Sequence, residues 1–195
     1  DLLMYNVFPT LQILEHLFTP TVAQVENLSL CTPALWIGGL AASTAARIHG
    51  SGESGCNKEL EALIVERGIA CLVDVGAMFG ACAAPIAKKF PQVRVLTLEK
   101  SRETTQMLRR TAELNGLQIE ARAICMQRPG DECDCEACST LEDEFPFGSE
   151  GPHLLWLSQM SGPLQSILQG GQRLFREQLV DTVAVMTVPQ EVPKI

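Results

Sequence analysis

Two carboxylates and two glycines in the middle of the sequence have the types and spacing needed to hold a nucleoside. Asp74 lies near the end of an apolar run at 71–75, and Gly76 and Gly80 follow it. Glu99 comes twenty-three residues after Gly76, at the end of a second apolar run. A glycine turn lets a ligand approach the backbone, and a later carboxylate can accept hydrogen bonds from ribose hydroxyls. The pattern therefore predicts a nucleoside-binding α/β fold.

The spacing of the glycines distinguishes between nucleoside cofactors. A dinucleotide-binding loop needs the pattern G-x-G-x-x-G, in which the second glycine makes room for a pyrophosphate. Met78 and Ala81 occupy the second and third glycine positions counted from Gly76, which disfavours NAD and FAD. The observed pattern D-x-G-x-x-x-G suits S-adenosylmethionine, which has no phosphates to bind. The alternative is a tight strand-to-helix turn of an α/β domain that holds no cofactor.

Charge and composition limit the classes of partner. The 195 residues carry 15 Lys and Arg against 23 Asp and Glu, which gives a net charge of −8. Nucleic-acid surfaces need clustered positive charge, and no basic block is present, so we expect no nucleic-acid partner. Apolar residues make up 46% of the chain, enough for one domain with a substantial core and an extension.

Four of the eight cysteines lie close together in and near an acidic run: Cys125, Cys133, Cys135 and Cys138. Four thiolates can bind zinc in a tetrahedron. The paired C-x-x-C motifs typical of such sites are absent, however, and the interleaved carboxylates disfavour thiolates. We therefore assign no metal ligands and leave open a disulfide within the loop, free thiols in an exposed loop, or zinc. Cys71 and Cys82 are interpreted as small buried residues.

Residues 1–55 are predicted to form an apolar N-terminal extension of the domain at 56–195. A short amphipathic helix is indicated between Pro9 and Pro20. Residues 27–46 carry no charged side chain, and this length can just cross a bilayer, although proline, glycine and hydroxyl side chains dilute its hydropathy. We expect residues 1–55 to contact other protein subunits, with 27–46 as a candidate membrane contact. The expected location is an organelle or a membrane surface.

From residue 56 onwards, the pattern indicates alternating helices and strands. Helices are predicted before Gly68 and at 81–90, 101–115 and 163–175, and strands at 71–75, 94–98, 118–124, 153–157 and 182–188. The run 71–75 is apolar almost throughout, as expected of a central parallel strand that is covered on both faces. This alternation predicts a doubly wound α/β sheet with its ligand at the carboxyl ends of the strands.

Five short motifs lie in a characteristic order along residues 73–162. They are V-D-V-G-A at 73–77, L-E-K at 98–100, L-N-G-L at 114–117, S-T-L-E-D-E-F at 139–145 and H-L-L-W-L-S-Q-M-S-G at 153–162. In this order they resemble the FkbM-type S-adenosylmethionine-dependent methyltransferases, over roughly residues 60–175. The resemblance implies a Rossmann-like methyltransferase sheet, shortened after its fifth strand. It also implies cofactor binding by Asp74, Gly76, Ala77, Gly80 and Glu99.

The main departures from that family fall at residues expected to act on the substrate that accepts the methyl group. Met78 stands where the family has the asparagine of G-A-N, and Ser158 and Met160 stand where it has the two acids of D-V-E-G. An acid there could remove the proton of an acceptor hydroxyl. The first hypothesis is therefore a methyltransferase-fold subunit of a larger assembly that has no catalytic residue and binds no S-adenosylmethionine. The alternative is an active O-methyltransferase of a small molecule or glycan.

Overall fold

Nine strands and six helices lie within the part of the chain that the structure, a computed structural model, describes: residues 20–25, 28–33, 56–146, 151–158 and 163–185. The strands are β1 (Pro20–Val25), β2 (Leu28–Pro33), β3 (Cys71–Val75), β4 (Arg94–Glu99), β5 (Ile119–Ala123), β6 (Cys125–Met126), β7 (Cys138–Ser139), β8 (His153–Leu157) and β9 (Thr182–Val185). The helices are α1 (Cys56–Arg67), α2 (Ala83–Lys89), α3 (Arg102–Asn115), α4 (Leu141–Glu144), α5 (Leu164–Gln169) and α6 (Gln172–Arg176).

A parallel sheet with the order β5-β4-β3-β8-β9 forms the centre of the domain. Alternate residues of its strands face two different helical layers. Leu72 and Trp156 pack with α1 and α2 on one face, whereas Val73 and Leu155 pack with α4, α5 and α6 on the other. β3 is the middle strand and is buried along its whole length. The prediction of a Rossmann-like, doubly wound α/β sheet is therefore confirmed.

The boundaries of α3 agree with the local signals in the sequence. Ser101 precedes the helix, and its Oγ accepts a hydrogen bond from the backbone N–H of Thr104 at 3.1 Å. Gly116 follows the helix with a φ of +62°, the left-handed conformation that favours glycine. The helix therefore begins and ends where the sequence predicts. Glu99, the last residue of β4, lies shortly before its start.

The single helix predicted at 163–175 is wrong, because Gly170 and Gly171 interrupt it between α5 and α6. A Cβ atom on Gly170 would lie 2.3 Å from the carbonyl oxygen of Gln127. The Gly170 carbonyl also accepts a hydrogen bond from the backbone N–H of Glu142 at 3.1 Å. At this break the backbone lies close to the segments that contain Gln127 and Glu142. A side chain at position 170 would prevent the approach to Gln127.

The described part of residues 1–55 is an antiparallel hairpin of β1 and β2, and β2 lies against α3. This hairpin was not predicted from the sequence. Of the apolar stretch 27–46, the structure describes residues 28–33, which are extended, and the helix predicted between Pro9 and Pro20 lies outside the described residues. Within those described ranges, no helix is both long enough and apolar enough to cross a membrane.

The cysteine-bearing loop contains two disulfide bonds, Cys125–Cys135 and Cys133–Cys138. Of the alternatives left open by the sequence, the disulfide is confirmed and the loop with free thiols is wrong. Cys71 is buried, as expected. Cys82 differs from the expectation, because it is half-buried and disulfide-bonded.

Candidate functional site

The five residues predicted to bind a nucleoside lie together at the carboxyl edge of the sheet. Asp74 is near the end of β3, residues 76–80 form the turn before α2, and Glu99 ends the neighbouring strand β4. The backbone N–H of Gly76 donates to the Leu98 carbonyl at 2.8 Å, which joins the turn to β4. The fold thus brings Asp74, Gly76, Ala77, Gly80 and Glu99 into one region.

Both oxygens of the Glu99 carboxylate bind the protein's own backbone. The N–H of Met78 donates to Oε2 at 2.9 Å, and the N–H of Ser101 donates to Oε1 at 3.0 Å. Met78 has a φ of +51°, which is uncommon for a residue other than glycine. Glu99 is only 5% exposed. In this conformation the carboxylate therefore links the glycine turn to the start of α3 and is largely shielded from solvent.

Asp74 is buried beside the same turn, with 1% of its surface exposed. Neither of its carboxylate oxygens has a hydrogen-bond partner among the described residues. Burial, and to a lesser extent repulsion by Glu99, raises the pKa of Asp74 from 3.8 to about 7. Its neighbour across the strand pair is Trp156, whose indole N–H also lacks a partner there. Asp74 is thus a carboxyl group that holds its proton up to about neutral pH.

The residues between the two glycines cover the turn instead of leaving it open. Phe79 is 2% exposed and packs with Ala81 and with Met107 of α3, and Met78 lies half-buried against this cluster. The backbone N–H of Gly80 donates to the Ala77 carbonyl at 2.9 Å and closes the turn. In the described conformation, the side chains that follow Gly76 are part of the core.

Gly80 is expected to be required by the fold itself, independently of any ligand. It has a φ of +90°, and a Cβ atom there would lie 3.2 Å from Cγ of Leu108. We expect Gly80→Ala to lower the free energy of unfolding by about 2–3 kcal/mol, from left-handed strain and crowding together. Urea denaturation measures this change.

Gly116→Ala provides the matched control for Gly80→Ala. Gly116 also has a positive φ, of +62°, but a Cβ atom there would meet nothing within 4 Å. It therefore isolates the backbone strain, which is worth about 1 kcal/mol. Equal losses for the two variants would contradict a packing role for Gly80.

Ser158 connects the end of β8 to the glycine turn. Its N–H donates to the Val75 carbonyl at 3.1 Å, and its Oγ donates to the Gly76 carbonyl at 2.8 Å. From the sequence, Ser158 stands out only as a departure from an acidic motif, and this contact was not predicted. The sequence does contain one signal for this contact: a residue with a hydroxyl group directly follows the strand β8, which lies beside β3 and its glycine turn. Met160 lies outside the described residues.

A cavity of about 640 Å³ lies next to the carboxyl end of β4, where Lys100 follows Glu99. Lys100, the loop that follows β6, and the start of α5 line this cavity. None of the five predicted site residues contributes to its wall. The cavity and the candidate nucleoside site are therefore adjacent but separate.

The parallel strand order and the glycine turn after the central strand define a Rossmann-like α/β protein. No family model matches the chain, and no curated protein matches it. One similar solved structure is the Pyrococcus abyssi tRNA (uracil-54, C5)-methyltransferase in complex with S-adenosyl-L-homocysteine. Its identity is 13% and its TM-score 0.47, over 82% of this chain and 32% of that one.

A second similar solved structure is the T. thermophilus 16S rRNA N2 G1207 methyltransferase (RsmC) in complex with AdoMet and guanosine. Its identity is 19% and its TM-score 0.35, over 60% of this chain and 34% of that one. The chain therefore spans about a third of the length of each neighbour.

Proposed function

We propose that this chain is an FkbM-like methyltransferase-fold protein that has lost catalysis and serves as an accessory subunit of a larger assembly. The observation that supports this most is the state of Glu99. The backbone N–H groups of Met78 and Ser101 occupy its two oxygens, and the side chain is buried. An acid that binds ribose needs its carboxylate open to the ligand, whereas Glu99 stabilises the turn on which a ligand would lie.

The proposed loss of a catalytic base for the methyl acceptor is supported by Ser158. A base that accepts a proton from an acceptor hydroxyl must have a free acceptor orbital and a suitable pKa. Ser158 instead donates a hydrogen bond from its hydroxyl group to the Gly76 carbonyl, and a serine hydroxyl is a poor base. Contacts of residues 1–55 with partner subunits, and of 27–46 with a membrane, belong to the same proposal.

The alternative, an active S-adenosylmethionine-dependent O-methyltransferase of a small molecule or glycan, is favoured by one observation. The Asp74 carboxyl group is buried without a described partner, and such a group costs free energy. A cationic ligand could supply the missing partner if the bond between Met78 and Glu99 opened. S-adenosylmethionine carries an ammonium and a sulfonium group, so its binding would offset this cost.

Calorimetric titration of the purified chain with S-adenosylmethionine tests the two functions. We expect no binding heat at millimolar ligand and no rise in the melting temperature, because a ligand stabilises a protein only by binding its folded state. The control is S-adenosylhomocysteine, which lacks the positive charge at sulfur and so separates a requirement for that charge from a closed site.

Saturable binding would contradict the closed turn and support the alternative. In that case Glu99→Ala should weaken the affinity by about thirty- to several-hundred-fold, because two ribose hydrogen bonds to a charged acceptor are worth roughly 2–4 kcal/mol. The assembly part of the proposal has its own test. The natural full-length protein should run on size exclusion with partner subunits, and a monodisperse monomer would contradict that part alone.

A further inference from the structure

Four cysteine sulfurs gather in one cluster on the loop between β6 and β7. The Sγ atoms of Cys125, Cys135 and Cys138 all lie within 4.8 Å of one another. Cys133 is bonded to Cys138, so its sulfur belongs to the same cluster. Cys125 is 9% exposed, Cys135 and Cys138 are half-buried and Cys133 is exposed, so solvent species reach the cluster from the side of the loop.

The backbone brings these cysteines together independently of the way their sulfurs are paired. Cys125 and Cys138 are register partners in the β6–β7 pair, yet they are not bonded to each other. Backbone hydrogen bonds from Cys125 N to the Ala137 carbonyl, at 2.9 Å, and from Gln127 N to the Ser139 carbonyl, at 3.0 Å, hold this pair. Cys125 and Cys138 would thus stay close if both disulfides were reduced, and Cys133 and Cys135 lie on the short loop segment that leads into β7.

The loop is also attached to the rest of the domain. Ser166 of α5 donates from Oγ to Oδ2 of Asp131 at 2.7 Å and accepts from the backbone N–H of Arg128 at 3.1 Å. These contacts hold the segment between Cys125 and Cys133. A loop fixed at both its strand pair and its middle loses little further freedom when it binds an ion.

The charge around the cluster favours a cation. Glu132, Asp134 and Glu136 alternate with the cysteines and are exposed. The ion pair between Arg102 and Glu136, at 3.5 Å, neutralises only one of these three acids. These acids attract a divalent ion, but they also oppose the ionisation of the thiols, so the charge of the bound ion itself must stabilise the four thiolates.

We propose that the reduced form of this cluster binds one Zn²⁺ through the thiolates of Cys125, Cys133, Cys135 and Cys138. Zinc–sulfur bonds of about 2.3 Å in a tetrahedron separate the sulfurs by about 3.8 Å, which fits within the observed 4.8 Å. The spacing of the cysteines disfavoured zinc, but the strand pairing supplies the proximity that paired C-x-x-C motifs supply elsewhere. The inference does not depend on the proposed function.

The exchange between the two states balances with a thiol reductant. Two dithiol molecules deliver four electrons and four protons to the two disulfides and are themselves oxidised to disulfides. The four cysteine thiols then release four protons as they bind the metal ion. The disulfide form and the zinc form are therefore alternative states of the same loop.

Anaerobic titration of the phosphine-reduced chain with Co²⁺, followed by Zn²⁺, tests the site. We expect thiolate-to-metal charge-transfer absorption and the intense visible bands of tetrahedral Co²⁺, both abolished by one equivalent of Zn²⁺. Native mass spectrometry of the reduced wild-type chain should show a mass increase of one zinc ion minus two protons, since the ion's two charges replace two protons at a given charge state. This second measurement needs no variant and so does not depend on the folding of a mutant.

Cys135→Ser should weaken Zn²⁺ binding by about 100-fold, because structural zinc sites bind with about 10–16 kcal/mol shared among four ligands. Cys71→Ala is the matched control, since it removes a cysteine outside the cluster, and it should leave the affinity unchanged. Absence of the tetrahedral bands, a weak octahedral spectrum from the carboxylates alone, or equal affinity in Cys135→Ser would each overturn the proposal.

Discussion

Asp74→Asn is expected to make the chain more stable at pH 8 and to remove a major pH dependence of its stability. The folded-state pKa of Asp74 is about 7, against an ordinary value of 3.8, so the folded chain retains a proton that the unfolded chain has released. The free energy of unfolding of the wild type should therefore fall as the pH rises from about 4 to 7. Three pKa units correspond to roughly 4 kcal/mol, and asparagine has no proton to lose.

Urea denaturation at a series of pH values measures this effect as the difference between the wild type and the variant. The difference is the proper readout because Glu120 and Asp131, whose pKa values are lowered, give slopes of the opposite sign at lower pH. Glu132→Gln, at an exposed acid, is the control and should reproduce the wild-type slope. Parallel curves for the wild type and Asp74→Asn would show that Asp74 is ionised in the folded chain.

Glu99→Ala is expected to destabilise the chain by about 3 kcal/mol in the absence of any ligand. The substitution leaves the N–H groups of Met78 and Ser101 without their acceptor, and each hydrogen bond to a charged group is worth about 1.5–3 kcal/mol. Relief of the repulsion on Asp74 offsets part of this loss. The measurement is urea denaturation at pH 8, where Asp74 is largely ionised, with Glu99→Gln as a variant of similar shape that retains one acceptor oxygen.

Glu99→Gln should therefore lose about half as much stability as Glu99→Ala. The double variant with Asp74→Asn tests the repulsion directly, since interacting residues give non-additive changes. Unchanged stability in Glu99→Ala, together with lost binding of S-adenosylmethionine, would show that Glu99 is a ligand residue. That result would favour the active methyltransferase over the accessory subunit.

The sequence by itself determined the elements whose signals are local. The apolar run of β3 specifies a central strand because each of its residues must be covered on one face or the other. Ser101 and Gly116 specify the ends of α3, because backbone groups at helix ends lack partners within the helix. The Ser101 side chain accepts from a backbone N–H of the first turn, and the Gly116 N–H donates to carbonyl groups of the last turn. Parallel strands share one carboxyl edge, so the positions of Asp74 and Glu99 near their strand ends were enough to predict that they meet.

The tertiary structure decided the features that depend on contacts between distant segments. Local sequence patterns do not report which backbone N–H a carboxylate will accept, so the bond from Met78 to Glu99 was not foreseen. The interruption at Gly170 follows from the approach of Gln127, more than forty residues earlier. The pairing of β6 with β7 likewise places Cys125 opposite Cys138. The sequence thus predicted where the candidate site lies, but whether it is open depends on packing that only the folded chain defines.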